Sequence, residues 1–511
     1  MADTAVITSV ITAASTNQYE GEPMTTGVAP GVTRPRIAAE EPMLIGDSWT
    51  CGSGGRIAVL DPATEELLTT VGLAGPAEVD AAVAAAMAAH RDGRWRGRTP
   101  EWRRDVLARL ADLAESRAEE LAVLETLDNG KPIERARGDV ALGIAAIRHC
   151  AGAPARLTGA VQPAGTDRHV YTSREPVGPA ALVLPWNFPF MIAAWKVSAA
   201  LAAGCPVVVK PAEQTPLTAL RLAALCLDAG VPAGVVDVLT GGGSTGAALV
   251  AHPGIAKVSF TGSTEVGRSV MAAAAGRVTP VTLELGGKSP NIVFADADLD
   301  RVLTTLPRTV FAHSGQMCTA GSRLLVHRSV RDEVLERLVP LVDALPVGNG
   351  LTGGITVGPL VSAVQRDRVA SYLDLGRAEG ATVLAGGGVR GGPGFFVEPT
   401  VLTGLGADAR CVREEIFGPV LTVLEFDTDD EAVALANDSE YGLAAGIWTS
   451  DLARAHRTAA ALEAGTVWVN TYNEFHPAVP FGGVKQSGIG RDLGDAAVES
   501  FTELKSVTVA L

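Results

Sequence analysis

Three observations predict an α/β protein built on parallel sheets. Between residues 179 and 285, short continuous apolar runs alternate with amphipathic ones, the pattern of buried parallel strands covered by helices on both faces. A second α/β stretch follows over residues 286–485. The chain has 511 residues, too many for one ordinary hydrophobic core, so two or three domains are expected.

Residues 1–40 are rich in Thr, Ala, Gly and Pro, lack periodicity, and are expected to form a flexible extension. Order is expected from near Met43, where a first unit begins that spans 41–152 and 177–285. Thr99-Pro100-Glu101 offers a capping hydroxyl and a first-turn proline, and Asn129-Gly130 offers a stop, so one helix is predicted between them. Strands are predicted at Ala180–Leu184, Pro206–Val209, Gly234–Leu239, Lys257–Phe260 and Val281–Leu285. Helices at Phe188–Ala203, Pro216–Ala229, Ser244–Ala251 and Thr264–Ala275 connect them. Such sheets bind ligands beyond the carboxyl ends of their strands. Leu157–Ser173 and Ser506–Leu511 alternate weakly, within segments 153–176 and 486–511. They predict either strands paired across a subunit boundary or a surface hairpin and a frayed tail.

Hydrophobic residues make up 47% of the chain and charged residues 19%, as in a packed globular enzyme. The formal net charge of -15 argues against nucleic-acid or anionic-membrane partners, which would be repelled. No apolar run approaches the roughly 20 residues of a membrane span, and the N-terminus does not read as a secretory signal. The six cysteines are irregularly spaced and form no CxxC, so neither a disulfide framework nor a zinc site is expected, and a reducing cytoplasm is the default.

Candidate chemistry gathers in a few runs. Cys318 lies among small residues in Gly315-Gln316-Met317-Cys318-Thr319-Ala320-Gly321, where a carbonyl compound could approach it. Glu284 lies 34 positions upstream in Leu283-Glu284-Leu285-Gly286-Gly287-Lys288, and its carboxylate could activate water. A thiolate attack creates an oxyanion, which the amide of Asn187 and the backbone N–H of Cys318 could stabilise. Phe260-Thr261-Gly262-Ser263-Thr264 follows a strand and opens a helix, a setting for a pyrophosphate or for an ordinary capped helix. Lys210 and Glu213 end another strand of the same sheet. The lysine could hold a ribose hydroxyl or phosphate, and the glutamate would repel a 2′-phosphate. Only seven of the 42 basic residues are lysine, and five of these fall in motif-like runs: Lys131, Lys196, Lys210, Lys288 and Lys485. Those positions call for a compact ammonium.

Other patterns compete. Gly242-Gly243-Ser244-Thr245-Gly246 matches a GxSxG nucleophile elbow, and an esterase reading stays open beside that of a glycine-rich loop. His313, five residues before Cys318, suggests either a Cys–His hydrolase or a structural histidine.

Together these runs resemble the NAD(P)-dependent aldehyde dehydrogenase superfamily from about residue 43 to the C-terminus. The motifs that carry the resemblance are Pro185–Phe188, Lys210–Pro216, Phe260–Gly267, Leu283–Pro290, Gly315–Arg323, Glu414–Val420 and Pro480–Arg491. Asp492 departs mildly from the family's common Glu. The resemblance implies a Rossmann-type nucleotide domain, an α/β catalytic domain over 286–485 and a small β arm that builds homodimers or homotetramers. It implies NAD as cofactor and an aldehyde as substrate. It implies Cys318 as nucleophile, Glu284 as general base and Asn187 as oxyanion donor. Trp186, Lys210, Glu213, Gly262, Ser263, Gly287, Glu415 and Phe417 are implied on the cofactor side. Relatives that pass the acyl group to coenzyme A often lack the base, so release of free acid is expected. Phe188, Met191, Trp195, Met317, Thr319, Phe475 and Phe481 are implied around the aldehyde. That lining suits a medium aliphatic or aromatic aldehyde, while cation–π contact keeps betaine aldehyde open. Glu474 and His476 flank Phe475 and could bias charge preference.

Overall fold

A computed structural model describes residue 29 and residues 32–511. Most of the expected flexible extension lies outside these residues. Its described end is tied to the body, so order begins before Met43. Ala39 accepts from Thr70 N at 3.2 Å. Glu41 receives Arg221 through two hydrogen bonds of 2.8 and 2.9 Å.

The first large sheet has eight strands. Its five central strands are parallel and lie in the order Val281–Glu284, Lys257–Thr261, Ala180–Val183, Val207–Lys210, Val236–Val238. All five match the predicted strands within two residues. The first strand in the chain, Ala180–Val183, sits between later ones, so the connections leave it on opposite sides. The crevice beyond its carboxyl end is where such a sheet binds ligands. Met43–Ile45 and Ser48–Thr50 extend one side in antiparallel fashion. Gly488–Ile489 closes the other side, antiparallel to Val281–Glu284. The segment 486–511, drawn above with the arm, is therefore divided between this sheet and the arm.

The second large sheet has seven strands. Six are parallel, running from Thr400–Thr403 through Val420–Phe426, Arg323–His327, Pro290–Val293 and Ala444–Trp448 to Thr466–Val469. A third sheet forms the arm. Thr502–Ala510 pairs with Arg168–Pro176 in unbroken antiparallel register from Thr502↔Pro176 to Ala510↔Arg168, and Val161–Gln162 adds a short third strand. The two weakly alternating segments are strands, and they pair with each other within one chain.

The single helix expected before Gly130 is two helices, Pro100–Ser116 and Ala118–Asn129. Arg117 leaves helical geometry at φ -118°, ψ 18° and its N–H closes onto Ala114. Thr99 caps the first helix through Trp102 N. Gly130 ends the second at φ 89°, with Pro359 so close that a Cβ would lie 2.7 Å from its ring. The helix Pro189–Ala203 is buried along its whole length, which explains its nearly unbroken apolar sequence. Among the described residues no helix is long and apolar enough to cross a membrane.

Lys131, just past Gly130, is fully buried. Its Nζ donates to Glu125 Oε1 at 2.6 Å and Asp139 Oδ2 at 2.8 Å, and stands 4.7 Å from the Phe188 ring centre. The other oxygen of Glu125 accepts from Phe190 N at 3.1 Å. One ammonium thus joins two helices and the entry to Pro189–Ala203. Removing it leaves buried carboxylates without a partner. Lys131→Met is expected to lower stability by about 3–5 kcal/mol in urea unfolding; a loss below about 1 kcal/mol would mean the cluster is not a keystone.

Candidate active site

Three segments meet where the two large sheets face each other. The loop Pro185-Trp186-Asn187-Phe188 leaves the strand Ala180–Val183. Trp186 O accepts from Asn129 Nδ2 at 2.7 Å and Thr215 Oγ1 at 3.2 Å. Asn187 is buried and bridges to the cysteine loop twice. Its Nδ2 donates to Gln316 O at 2.9 Å, and its own carbonyl receives His313 Nε2 at 2.9 Å. One amide hydrogen of Asn187 is thereby fixed, which leaves the second free for a ligand.

The cysteine loop is held in a costly shape. His313, Ser314 and Gly315 all have positive φ, at 54°, 56° and 70°. Left-handed backbone is unfavourable for residues with a Cβ, and side-chain bonds hold it here. Ser314 Oγ donates to Gly358 O at 2.6 Å, and Gln316 Oε1 accepts from Val361 N at 2.9 Å. Gly315 is obligatory, because a Cβ would lie 2.0 Å from Gly418 O. Beyond Cys318, Thr319 donates to Asn473 Oδ1 at 2.8 Å, and Tyr472 OH donates to Thr319 O at 2.8 Å. Cys318 is part-exposed, whereas Cys150, Cys205, Cys226 and Cys411 are buried. His313 points its Nε2 at Asn187 and is held neutral by burial, which pushes it well below its usual range. The structural reading of this histidine holds.

Glu284 ends its strand and lines the same cavity as Cys318. Both its carboxylate oxygens are buried without a partner. Burial pushes its carboxyl well above the usual range, and Asp492 pushes it further. Asp492 is in turn neutralised by Lys196, whose Nζ reaches it at 2.7 Å and donates to Ser259 Oγ at 2.9 Å. Gly482 makes room for Glu284, since a Cβ there would lie 2.4 Å from Oε1. Burial also pushes the Cys318 thiol up to about 12, with Glu415 and Glu284 adding to the shift. Burial thus disfavours the charged form of both the nucleophile and the carboxyl.

The residues implied on the cofactor side form three groups. Lys210 Nζ lies 3.2 Å from Glu213 Oε2 at the carboxyl end of Val207–Lys210, and burial pulls its pKa down. Gly262 and Ser263 follow the strand Lys257–Thr261, and Ser263 caps the helix Thr264–Ala275 by accepting from Val266 N. Nearer Cys318, Gly287 N donates to Glu415 Oε1 at 2.9 Å, and burial pushes the Glu415 carboxyl up to about 7. Gly286 and Gly287 need their missing side chains. A Cβ would lie 2.2 Å from Glu415 Oε2 at the first and 2.5 Å from Cys318 O at the second. Phe417, at φ 60°, sets its ring edge-on to Trp186 at 5.2 Å. Carboxylates, a lysine, a helix N-terminus and an aromatic pair are groups that fit a dinucleotide.

All seven residues implied around the aldehyde line the cavity that holds Cys318 and Glu284. It encloses about 520 Å³ including its open mouth. Phe475 and Phe481 pack edge-on at 5.3 Å, and Trp195 lies 6.1 and 6.3 Å from them. The sequence reading missed Arg135, Ile192, Thr261, Leu285 and Leu443 in the lining, and it placed Asp492 outside the chemistry, whereas Asp492 lines the cavity and acts on Glu284. Ile192 was legible as the neighbour of Met191, but Arg135 lies on a helix, Ile133–Ala151, that carries no motif. Glu474 and His476 are exposed and outside the lining, so they do not set its charge.

The aldehyde dehydrogenase family model matches residues 49–507. The DhaS protein of Bacillus subtilis (strain 168), assigned by its name to the aldehyde dehydrogenases, is 48% identical over 461 residues, covering 90% of this chain and 93% of that protein. An aldehyde dehydrogenase from Bacillus cereus, solved as an NAD+ complex, is 45% identical with a TM-score of 0.91, covering 92% of this chain and 97% of that one. The AldA indole-3-acetaldehyde dehydrogenase of P. syringae, solved with NAD+ and IAA, is 43% identical with a TM-score of 0.91, covering 93% and 97%. The chain belongs to the aldehyde dehydrogenase family.

Proposed function

We propose that the protein oxidises an apolar aldehyde to its carboxylic acid with NAD, through a covalent adduct on Cys318. One observation carries this reading: Cys318 and Glu284 share a cavity whose walls are otherwise mainly apolar and aromatic. The Bacillus cereus and P. syringae relatives, each solved with NAD+, support the choice of cofactor. When bound, the oxidised nicotinamide supplies a hydride acceptor and a positive charge.

Cys318 Sγ gives its proton to water and bonds to the aldehyde carbon. The carbonyl oxygen becomes an oxyanion, for which the free hydrogen of Asn187 Nδ2 and the Cys318 N–H are the donors. Loss of hydride from that carbon leaves a thioester on Cys318. Glu284 then takes a proton from water, the oxygen bonds to the acyl carbon, and the carbon–sulfur bond breaks to give acid and thiol. The apolar walls admit the aldehyde body and limit water to the molecule Glu284 directs. Lys210, Glu213 and Ser263 hold the adenosine and pyrophosphate side, Glu415 and Phe417 the nicotinamide side. Neither hydrolase alternative has comparable support: His313 is turned to Asn187, and Ser244 is exposed outside the cavity.

Cys318→Ala is expected to abolish NADH formation. Glu284→Gln is expected to keep a burst of NADH and to slow turnover by about 10²–10⁴-fold. Because burial raises the Glu284 pKa, the group is neutral at low pH and becomes a base only as pH rises through the raised value. Wild-type turnover should therefore climb with pH, and Glu284→Gln should flatten that limb in a pH profile. Full activity in Cys318→Ala would sink the mechanism.

Glu213 stands where a 2′-phosphate would be repelled, so NAD should be preferred over NADP. Glu213→Gln should shift the kcat/KM ratio towards NADP by about tenfold or more; an unchanged ratio would remove Glu213 from cofactor choice. The arm leaves Val161, Leu504 and Val509 exposed along its strands, which suits contact with further copies of this chain. A homodimer or homotetramer is expected in light scattering, and a monomeric mass at micromolar concentration would overturn it. Six cysteines without disulfides fit a cytoplasmic setting.

A further inference from the structure

Arg135 is the one basic residue in the cavity lining, and the mechanism leaves it unused. It stands on Ile133–Ala151, where Asp139 lies four residues on. Asp139 Oδ1 sits 3.1 Å from Arg135 Nε, while its Oδ2 accepts from Lys131. The carboxylate therefore occupies the Nε flank of the guanidinium. Among the described residues the two terminal amino groups of Arg135 donate no hydrogen bond. The side chain is 33% exposed, so it stands where the cavity opens to water. Its Cζ lies 5.7 Å from the Phe188 ring centre, which holds the plane against the apolar wall.

The rest of the lining offers no free anion to satisfy it. Burial disfavours the charged form of Glu284, and Asp492 is taken by Lys196. A second donor is also unmet, because the indole Nε1 of Trp195 is buried without an acceptor. The cavity thus combines an apolar, aromatic middle with donors that lack acceptors. A paired end of a guanidinium matches a carboxylate in two parallel hydrogen bonds. A quaternary ammonium at the same place would meet a like charge.

We propose that the cavity selects aldehydes with an apolar body and a carboxylate at the end remote from the aldehyde, and that Arg135 recognises this carboxylate. The inference rests on the reading of this cavity as the aldehyde site. It gives Arg135 a specificity role and counts against betaine-type substrates.

The test is kcat/KM for NADH formation with three aldehyde sets matched in length: ω-carboxylate, methyl-ended and trimethylammonium-ended. Each set runs from short to long aliphatic spacers and includes a para-substituted benzaldehyde, so that spacer length cannot hide the effect. Wild type should favour the carboxylate over the methyl end at its best length. Arg135→Gln should lower that ratio by about tenfold or more, after allowing for partial solvent screening. Arg135→Lys should keep part of the preference, and Arg135→Glu should shift it towards the ammonium. The ratio is internal to each variant, so a general loss of activity from an unpaired Asp139 does not imitate the result. A wild type that favours the ammonium, or a ratio unmoved in Arg135→Gln, overturns the proposal. If neutral aldehydes turn over without any charge preference, only the Arg135 inference fails. If no aldehyde gives Cys318-dependent NADH, the aldehyde-site reading itself fails.

Discussion

Desolvation governs this protein. Glu284 is buried without a partner, Cys318 and Glu415 are part-buried beside it, and desolvation pushes each towards its neutral form. A neutral thiol is a weak nucleophile and a neutral carboxyl is no base. A positive charge brought close by an oxidised cofactor would favour the charged form of both groups. That arrangement ties reactivity of the thiol to occupancy of the neighbouring crevice and protects it from stray reactions in the meantime.

Such a pocket must be held rigid by contacts that themselves are dry. Asn187 and Gln316 lie on loops attached to different sheets and are joined by one hydrogen bond, while His313 closes a second link in the opposite direction. Below them, the buried Lys131 cluster fixes the start of Pro189–Ala203. The three left-handed residues before Cys318 are tolerable only because these bonds are present. Lysine use follows the same logic. Lys131, Lys196 and Lys210 each place a compact ammonium beside a carboxylate in a tight space, where a planar guanidinium would need more room. Lys288 differs: its buried Nζ has no partner, and burial pulls it down to about 7.

Much of this was legible in the chain because it is local. The five parallel strands read as apolar runs, and Thr99 and Gly130 read as helix ends. Cys318 and Glu284 stand out because glycines and small residues crowd around them, and the structure gives a reason for those glycines: Gly286, Gly287, Gly315 and Gly482 each lie where a Cβ would collide. What stayed hidden is set by contacts distant in sequence. Nothing near Arg117 announces a helix break. The arm strands alternate too weakly to reveal that they pair with each other. Arg135 looks like any arginine on a helix surface until the loop carrying Phe188 is folded against it. Glu474 and His476, adjacent to a lining residue, were plausible by proximity along the chain, but the turn of the loop carries them outward.

The strand Gly488–Ile489 and the pair Lys196–Asp492 also govern when the protein can work during its own synthesis. Asp492 reaches Lys196 across 296 residues, and Gly482 is the surface against which Glu284 is packed. Until the last few dozen residues leave the ribosome, the edge beside Val281–Glu284 is unpaired and the pocket around Glu284 is open to water. A nascent chain therefore carries its cysteine loop without the dry enclosure that sets its chemistry. Enclosure of Glu284 therefore depends on Gly482 and Asp492, residues that follow the central sheet in the chain. The same late strand covers an edge that would otherwise invite pairing with another chain.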